Sequence, residues 1–150
     1  MIQRIQSIYL ALIAVFMSVT TFLPIIEVVY TDGISHSMTL LRLGTYSFLP
    51  DFTAPALSLI IGLMALYTIF LYKKRRLQIQ LCGWMLALIL LLYISIFYSY
   101  FELTATMDEN VSFFPEITIA FPLIALILDC VSIAGIRKDE RIVGTLSRLR

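Results

Sequence analysis

Long, almost unbroken apolar runs dominate this chain, and short polar stretches separate them. The runs cover residues 5–26, 52–72, 77–98 and 115–136. Each is at or near the twenty or so residues that a helix needs to cross about 30 Å of hydrocarbon. The pattern predicts an all-α membrane protein, one domain over residues 1–150, with four transmembrane helices in an antiparallel bundle. Arg4 precedes the first run as it would in a leader, but the run is long and lacks a small-residue cleavage site before Pro24, so it is expected to stay as a helix.

The polar stretches differ in kind. Residues 27–51 are long enough to hold structure, and Asp32-Gly33 lies between Ile25-Ile26-Glu27-Val28-Val29-Tyr30 and Ile34-Ser35-His36-Ser37-Met38-Thr39-Leu40. Asp-Gly between β-branched and aromatic segments signals a hairpin, because Gly accepts the positive φ of a tight turn. A two-stranded ribbon is marginal in water, so the hairpin is expected to lean on the second outer loop, residues 99–114, or on a partner. Asp51 or Thr53 is expected to cap the second helix with Pro55 in its first turn, and Pro115-Glu116 to open the fourth. Residues 73–76 are too few for anything but a turn between antiparallel neighbours. In the tail, residues 137–150, Ile142, Val143, Leu146 and Leu149 fit a short helix lying on the inner surface or docking a partner.

Charge orients the map. Of 11 Lys and Arg, all but Arg42 fall at the first terminus, in the 73–76 turn or in the tail. Basic residues near span ends resist translocation, so both termini and the turn are expected in the cytoplasm and the hairpin in the periplasm. Lys73, Lys74, Arg75, Arg76, Arg137, Lys138 and Arg141 then form a cytoplasmic basic surface; the turn 73–76 reads first as a topology lock, and as the alternative it attracts anionic lipid at about 1 kcal/mol per charge. Glu27, Asp32, Asp51, Glu102, Asp108, Glu109 and Glu116 lie in or beside the outer loops, so the net charge of +1 conceals a strong polarity. With 60% apolar and 14% charged residues, the chain holds more apolar surface than a soluble core of this size can bury.

Inside the spans one ionisable residue is well within hydrocarbon: Asp129. A charged Asp at a span centre costs about 2.5 to 3.5 kcal/mol, so it should face protein or water and seek donors. Depth counted from the inner ends puts Tyr9, Tyr67 and Trp84 at its height, with Arg75 or Arg76 reaching inward. A helix-to-helix hydrogen bond is the plainer reading, since a proton or cation relay normally needs a second intramembrane ionisable group. Ser58 and Gly62, and Ala14 and Ser18, form small-xxx-small pairs that let backbones approach. Pro122 removes the bond to the Thr118 carbonyl and is expected to bend the fourth helix. Tyr46, Phe48, Phe52, Tyr98, Tyr100, Phe101, Phe113 and Phe114 form an interfacial belt, or a holding site for a partner or lipid tail. Cys82 and Cys130 read as packing residues, and His36 has no second ligand at a metal spacing.

Three segments carry a resemblance: Met1-Ile2-Gln3-Arg4-Ile5-Gln6-Ser7-Ile8-Tyr9-Leu10, Arg76-Leu77-Gln78-Ile79-Gln80-Leu81-Cys82, and Ile136-Arg137-Lys138-Asp139-Glu140 with Ser147-Arg148-Leu149-Arg150. In these the chain resembles an uncharacterised family of Bacteroidota membrane proteins, domain of unknown function 4293. The resemblance implies a small inner-membrane protein with no activity, cofactor or catalytic residue to carry over. Where members often have Ser-Ala-Asp before the final Arg-Leu-Arg, this chain has Gly144-Thr145-Leu146-Ser147. Gln3, Gln6, Gln78 and Gln80 are expected to bond across the first and third helices near the inner interface, while Asp139 and Glu140 pair with the basic turn.

No paired acids, His or Cys dyad or zinc spacing points to an enzyme, and no cofactor or nucleic-acid partner is expected. The expected function is that of an accessory or scaffold subunit, in contact with membrane lipids and with a protein partner or further copies of itself. The alternative is a small oligomeric transporter or channel built around Asp129.

Overall fold

The computed structural model describes residues 2–30, 35–42, 52–71, 74–106 and 111–148. In chain order these form α1 (Ile2–Phe22), β1 (Pro24–Tyr30), β2 (Ser35–Thr39), α2 (Thr53–Phe70), α3 (Arg75–Thr106), β3 (Val111–Pro115), a 3-10 turn (Ile117–Ala120) and α4 (Phe121–Arg148). Thr53–Phe70, Arg75–Ala105 and Ile117–Lys138 are each long and apolar enough to cross a membrane, which marks a membrane protein; in α1 the apolar part spans Gln6–Phe22.

The helices pack as a ring. α1 lies against α2 and α4, and α3 lies against the same two, so α1 and α3 are diagonal. The buried positions explain why. On α3 they are Gln78, Cys82, Met85, Ile89, Leu92, Ile96, Ser99 and Leu103, in alternating steps of four and three. The same alternation runs through Gln6, Leu10, Ile13, Met17 and Thr20 on α1, Ala54, Ser58, Ile61, Ala65 and Thr68 on α2, and Thr118, Pro122, Ala125, Asp129, Ser132 and Ile136 through the 3-10 turn and α4. A mean step of 3.5 keeps one seam of each helix turned inward. Much of the seam is small or polar, as expected where helices meet in hydrocarbon and close backbone approach replaces the hydrophobic drive. A methyl on Gly62 of α2 would lie 3.6 Å from Met17 Cβ and 3.7 Å from the Ala14 carbonyl of α1. Nearby, Thr21 and Ser58 share a buried hydrogen bond of 2.7 Å.

One end of the ring is covered by a three-stranded antiparallel sheet in the order β2-β1-β3. β1 pairs with β2 through Ile26↔Met38 and Val28↔His36, as the Asp32-Gly33 signal predicts for the strands; the turn itself lies outside the described residues. The expected support from the second outer loop is closer than a lean, because β3 becomes the third strand, with Ile26↔Pro115 and Val28↔Phe113. Ile26, Val28 and Met38 are buried and join one apolar cluster with the helices. Glu116 N–H then donates to the Ile25 carbonyl at 2.8 Å, which ties the start of the 3-10 turn to β1.

Four local expectations are corrected. Pro122 does not bend a helix: it sits in the first turn of α4, and the Thr118 carbonyl it was to orphan accepts the Phe121 N–H instead. A proline there costs nothing, since first-turn N–H groups have no helical partner. Thr53 is the first residue of α2 rather than its cap, and its hydroxyl bonds Ser95 on α3 at 2.8 Å; the cap position is Phe52, without a side-chain bond, and Asp51 lies outside the described residues. Arg75 and Arg76 belong to α3, which at its other end continues past Tyr98 to Thr106. At about 1.5 Å per residue its 32 residues reach about 48 Å, well beyond a hydrocarbon layer of about 30 Å. The backbone of α4 runs on to Arg148 as one helix in place of a separate surface helix, since beyond Ile136 no Pro interrupts it and the one Gly there, at 144, lowers propensity without breaking the ladder.

The Thr21–Ser58 bond predicts a measurable coupling. A double-mutant cycle with Thr21→Val and Ser58→Ala, read by unfolding in mixed micelles, should give about 0.6 to 1.7 kcal/mol. A coupling indistinguishable from zero would remove this bond from the α1–α2 contact.

Candidate functional site

The seam of α4 places Asp129 in the bundle interior. Its side chain is fully buried, and neither carboxyl oxygen has a hydrogen-bond partner among the described residues; the same holds for the Ser132 hydroxyl, one turn on along the same face. Residues three apart on a helix are neighbours, so two orphaned polar groups stand side by side. Across the interface the polar neighbour of Asp129 is the thiol of Cys82, itself fully buried on the seam of α3. A thiol is a weak donor, and this one interacts with the carboxyl without the geometry of a full hydrogen bond.

The donors expected for Asp129 are elsewhere. Tyr67 and Trp84 are 58% and 67% exposed, on the outward faces of α2 and α3. Counting residues fixed their height but not their direction: Trp84 falls between the seam positions Cys82 and Met85, and Tyr67 falls just before the seam position Thr68. Tyr9 is half-buried and does not bond the carboxyl, and neither Arg75 nor Arg76 reaches it. Cys82 could have been found from sequence by continuing the alternation of four and three from Gln78. Cys130, beside Asp129 in the chain, is exposed, so the two thiols do not meet.

Between Asp129 and the basic end lies a polar layer contributed by α1, α2 and α3 and accommodated by α4. Gln6 of α1 is buried against α4, where a methyl on Gly135 would come within 3.2 Å of its Nε2, so the glycine makes room for the amide. Gln78 of α3 donates through Nε2 to the Thr68 carbonyl of α2 at 3.4 Å, and Lys74 N–H donates to the Leu71 carbonyl at 2.8 Å, closing the turn beneath. The expected glutamine bonds across α1 and α3 are therefore replaced by bonds and contacts around the ring, because those two helices are diagonal. Gln80 is exposed, and the side chain of Gln3 lies outside the described residues.

The register set by Cys82 against Asp129 brings the basic side chains to one level. Seven residues back along α3 is Arg75, and seven forward along α4 is Ile136, followed by Arg137 and Lys138. Lys74, Arg76, Arg137 and Lys138 are exposed there and Arg75 is half-buried; Lys73 and the side chain of Arg141 lie outside the described residues. The aromatic residues gather at the opposite, sheet end. Phe52, Tyr98, Tyr100, Phe101 and Phe114 are exposed, and Tyr100 meets Phe113 edge-on at 5.9 Å; Tyr46 and Phe48 lie outside the described residues. No group of three His, Cys, Asp or Glu side chains able to hold a metal occurs among the described residues.

This layout runs through the whole length matched by one family model, that of the domain of unknown function DUF4293, over residues 2–149. The chain belongs to this family. No curated protein and no solved structure matches it. Membership accordingly brings no assigned residue to set beside Asp129, and the chemistry of this DUF4293 chain is argued from its own geometry.

Removing one buried group that has no partner relieves a desolvation cost of about 1 to 3 kcal/mol. Asp129→Leu should therefore leave the unfolding free energy of the solubilised chain unchanged or raised by up to about that amount, and Asp129→Asn should be near neutral. Denaturant titration in detergent checks this. A loss of stability in Asp129→Leu that Asn restores would mean that the carboxyl holds a helix-to-helix bond.

Proposed function

We propose that this chain is a non-catalytic accessory or scaffold subunit of a bacterial inner membrane, spanning it four times with both termini in the cytoplasm. On this reading the sheet is periplasmic and the basic end cytoplasmic, following the positive-inside rule, and α1 is the fourth span. The Bacteroidota source belongs to the same reading.

The observation that carries it is the sheet. Two loops far apart in sequence, 24–39 and 111–115, are knitted into one antiparallel unit whose inner face is part of the bundle core. Loops that merely connect spans need no such structure. A rigid platform at one end, with a basic surface at the other, suits a protein that is held between larger components and positions them. Exposed His36 and Ser112 lie on the two outer strands of that platform.

Orientation is tested by single cysteines in a chain lacking Cys82 and Cys130. A membrane-impermeant maleimide applied to intact spheroplasts should label His36→Cys and Ser112→Cys and spare Lys74→Cys until the membrane is opened. Labelling of Lys74→Cys in intact spheroplasts would invert the topology. Photo-crosslinkers at positions 36 and 112 should then capture a distinct protein in reproducible yield, identified after mild solubilisation. Recovery of nothing but further copies of this chain would overturn the accessory reading.

The second reading, a small oligomeric transporter or channel, is favoured by one observation: the orphaned oxygens of Asp129 and Ser132 side by side in the bundle core. Intramembrane acids of this kind commonly mark proton or cation sites. A proton-coupled flux in reconstituted vesicles, abolished in Asp129→Asn with assembly intact, would establish it in place of the first.

A further inference from the structure

Where the sheet meets α3, the bundle carries an apolar crevice of about 260 Å³. Its walls are Tyr93, Ile96, Phe97 and Tyr100 of α3, Ile26 of β1, Pro115 of β3 and Ile119 of the 3-10 turn. The Tyr93 hydroxyl at its edge is already engaged, donating to the Ile119 carbonyl at 3.0 Å. Among the lining side chains that leaves the Tyr100 phenol as the remaining polar group, too little for sugars, nucleotides or peptide backbones, whose many polar groups would go unpaired. Water is equally unsuited, since a buried water needs two to four polar partners and apolar cavities stay dry. An apolar cavity of about 150 Å³ already takes up benzene, so one of this size accepts a run of several methylenes.

Its position says which apolar molecule is at hand. Tyr93 to Tyr100 lie about 27 to 38 Å along α3 from Arg75 at about 1.5 Å per residue. With Arg75 at the basic boundary, this stretch straddles the far side of a hydrocarbon layer about 30 Å thick. That is the level at which a phospholipid's chains leave its headgroup. The opening is continuous with the exposed apolar flank of Ile94, Phe97 and Phe101, the surface that lipid chains cover, while Tyr98 and Glu102, hydrogen-bonded at 2.8 Å, lie next along the helix toward the headgroup level. Continuity with that flank selects a molecule arriving sideways from the bilayer.

We propose that this crevice binds one acyl chain of a phospholipid from the leaflet on the sheet side, held between α3 and the sheet as a resident lipid. The chain fills the gap left where straight helices give way to a sheet, and so couples the sheet's position to the lipid beside it. The proposal rests on the membrane placement given above. That placement has its own test in the maleimide labelling, so a chain that labels as expected yet retains no lipid fails this proposal alone.

The test is native mass spectrometry of the full chain, extracted in mild detergent and washed, then delipidated and returned to dioleoyl phosphatidylethanolamine. The wild type, and an Ile94→Phe control on the exposed flank outside the crevice, should each carry one phospholipid mass and regain it after delipidation. Ile96→Phe and Ile119→Trp fill the crevice from opposite walls and should lose that mass. Thermal unfolding of both fillers verifies that they fold, and Ile119→Trp lies off the helical seam should Ile96→Phe fail to do so. A chain with no lipid mass, fillers that retain it as the wild type does, or a peptide mass in its place would each overturn the proposal.

Discussion

Close approach of backbones along the 3.5-residue seam is the constraint on which the rest of this structure depends. Helices surrounded by lipid chains gain little from hiding leucine from one another, because the lipid is as apolar as the partner. Association must come from contacts that lipid cannot match: interlocked small residues and hydrogen bonds between helices. Ala14, Ser58, Gly62 and Ala65 supply the first, and the Thr21–Ser58 and Thr53–Ser95 pairs the second. The bulky apolar side chains divide between the seam, where Met85, Ile89 and Leu92 fill the centre, and the outer surface, where Trp84, Ile94 and Phe97 are left to solvent or lipid.

That division makes the two ends of the bundle different objects. Within hydrocarbon every backbone group must be bonded inside its own segment, so strands with free edges are confined to levels where water is available. The sheet obeys this rule by beginning where α1 ends and finishing where the 3-10 turn opens. Proline takes part on both sides of the 3-10 turn. Pro115 ends β3, an outer strand, where its missing N–H interrupts no central pairing, and Pro122 enters α4 where the N–H is not needed. At the other end the chain only has to reverse direction, and a tight turn stapled by Gln78 does so among basic residues.

The sequence made the long apolar helices legible because length and apolarity are one-dimensional properties. It made the β1–β2 pair legible because Asp-Gly between β-formers is a local signal. β3 was hidden: Val111-Ser112-Phe113-Phe114-Pro115 is short and aromatic, and at a membrane boundary such residues read equally well as a belt. The reach of α3 past Tyr98 was hidden for a related reason, since the apolar run ends there while the helix is continued by tertiary support, with Ser99 and Leu103 still buried. The inward faces of α2 and α3 were hardest to see, because a helix apolar on all sides has no amphipathic stripe to mark its core. Small and polar residues were the remaining clue: Ser58 and Gly62 lie in the α1–α2 contact, whereas Ser18 of the other small pair is exposed.

The same limit accounts for the partners expected of Asp129. Depth can be counted along a sequence, but azimuth requires the seam, and the seam assigns the facing position to Cys82 rather than to Trp84 two residues later. What results is a carboxyl whose neighbours are a weak donor and a serine that itself lacks a partner. A bundle selected for stability alone would fill that seam position with an aliphatic side chain, as it does at Ile136 one heptad on. A group that costs stability where it stands is the kind of local inconsistency that accompanies a role beyond folding. The layer of Gln6, Gln78 and Thr68 between it and the basic end adds direction, since buried polar residues on that side contrast with the apolar packing of Met85, Ile89 and Ala125 on the other. Asp129 therefore stands in the part of the core nearer the basic end, although the apolar run in which it lies gives no sign of it.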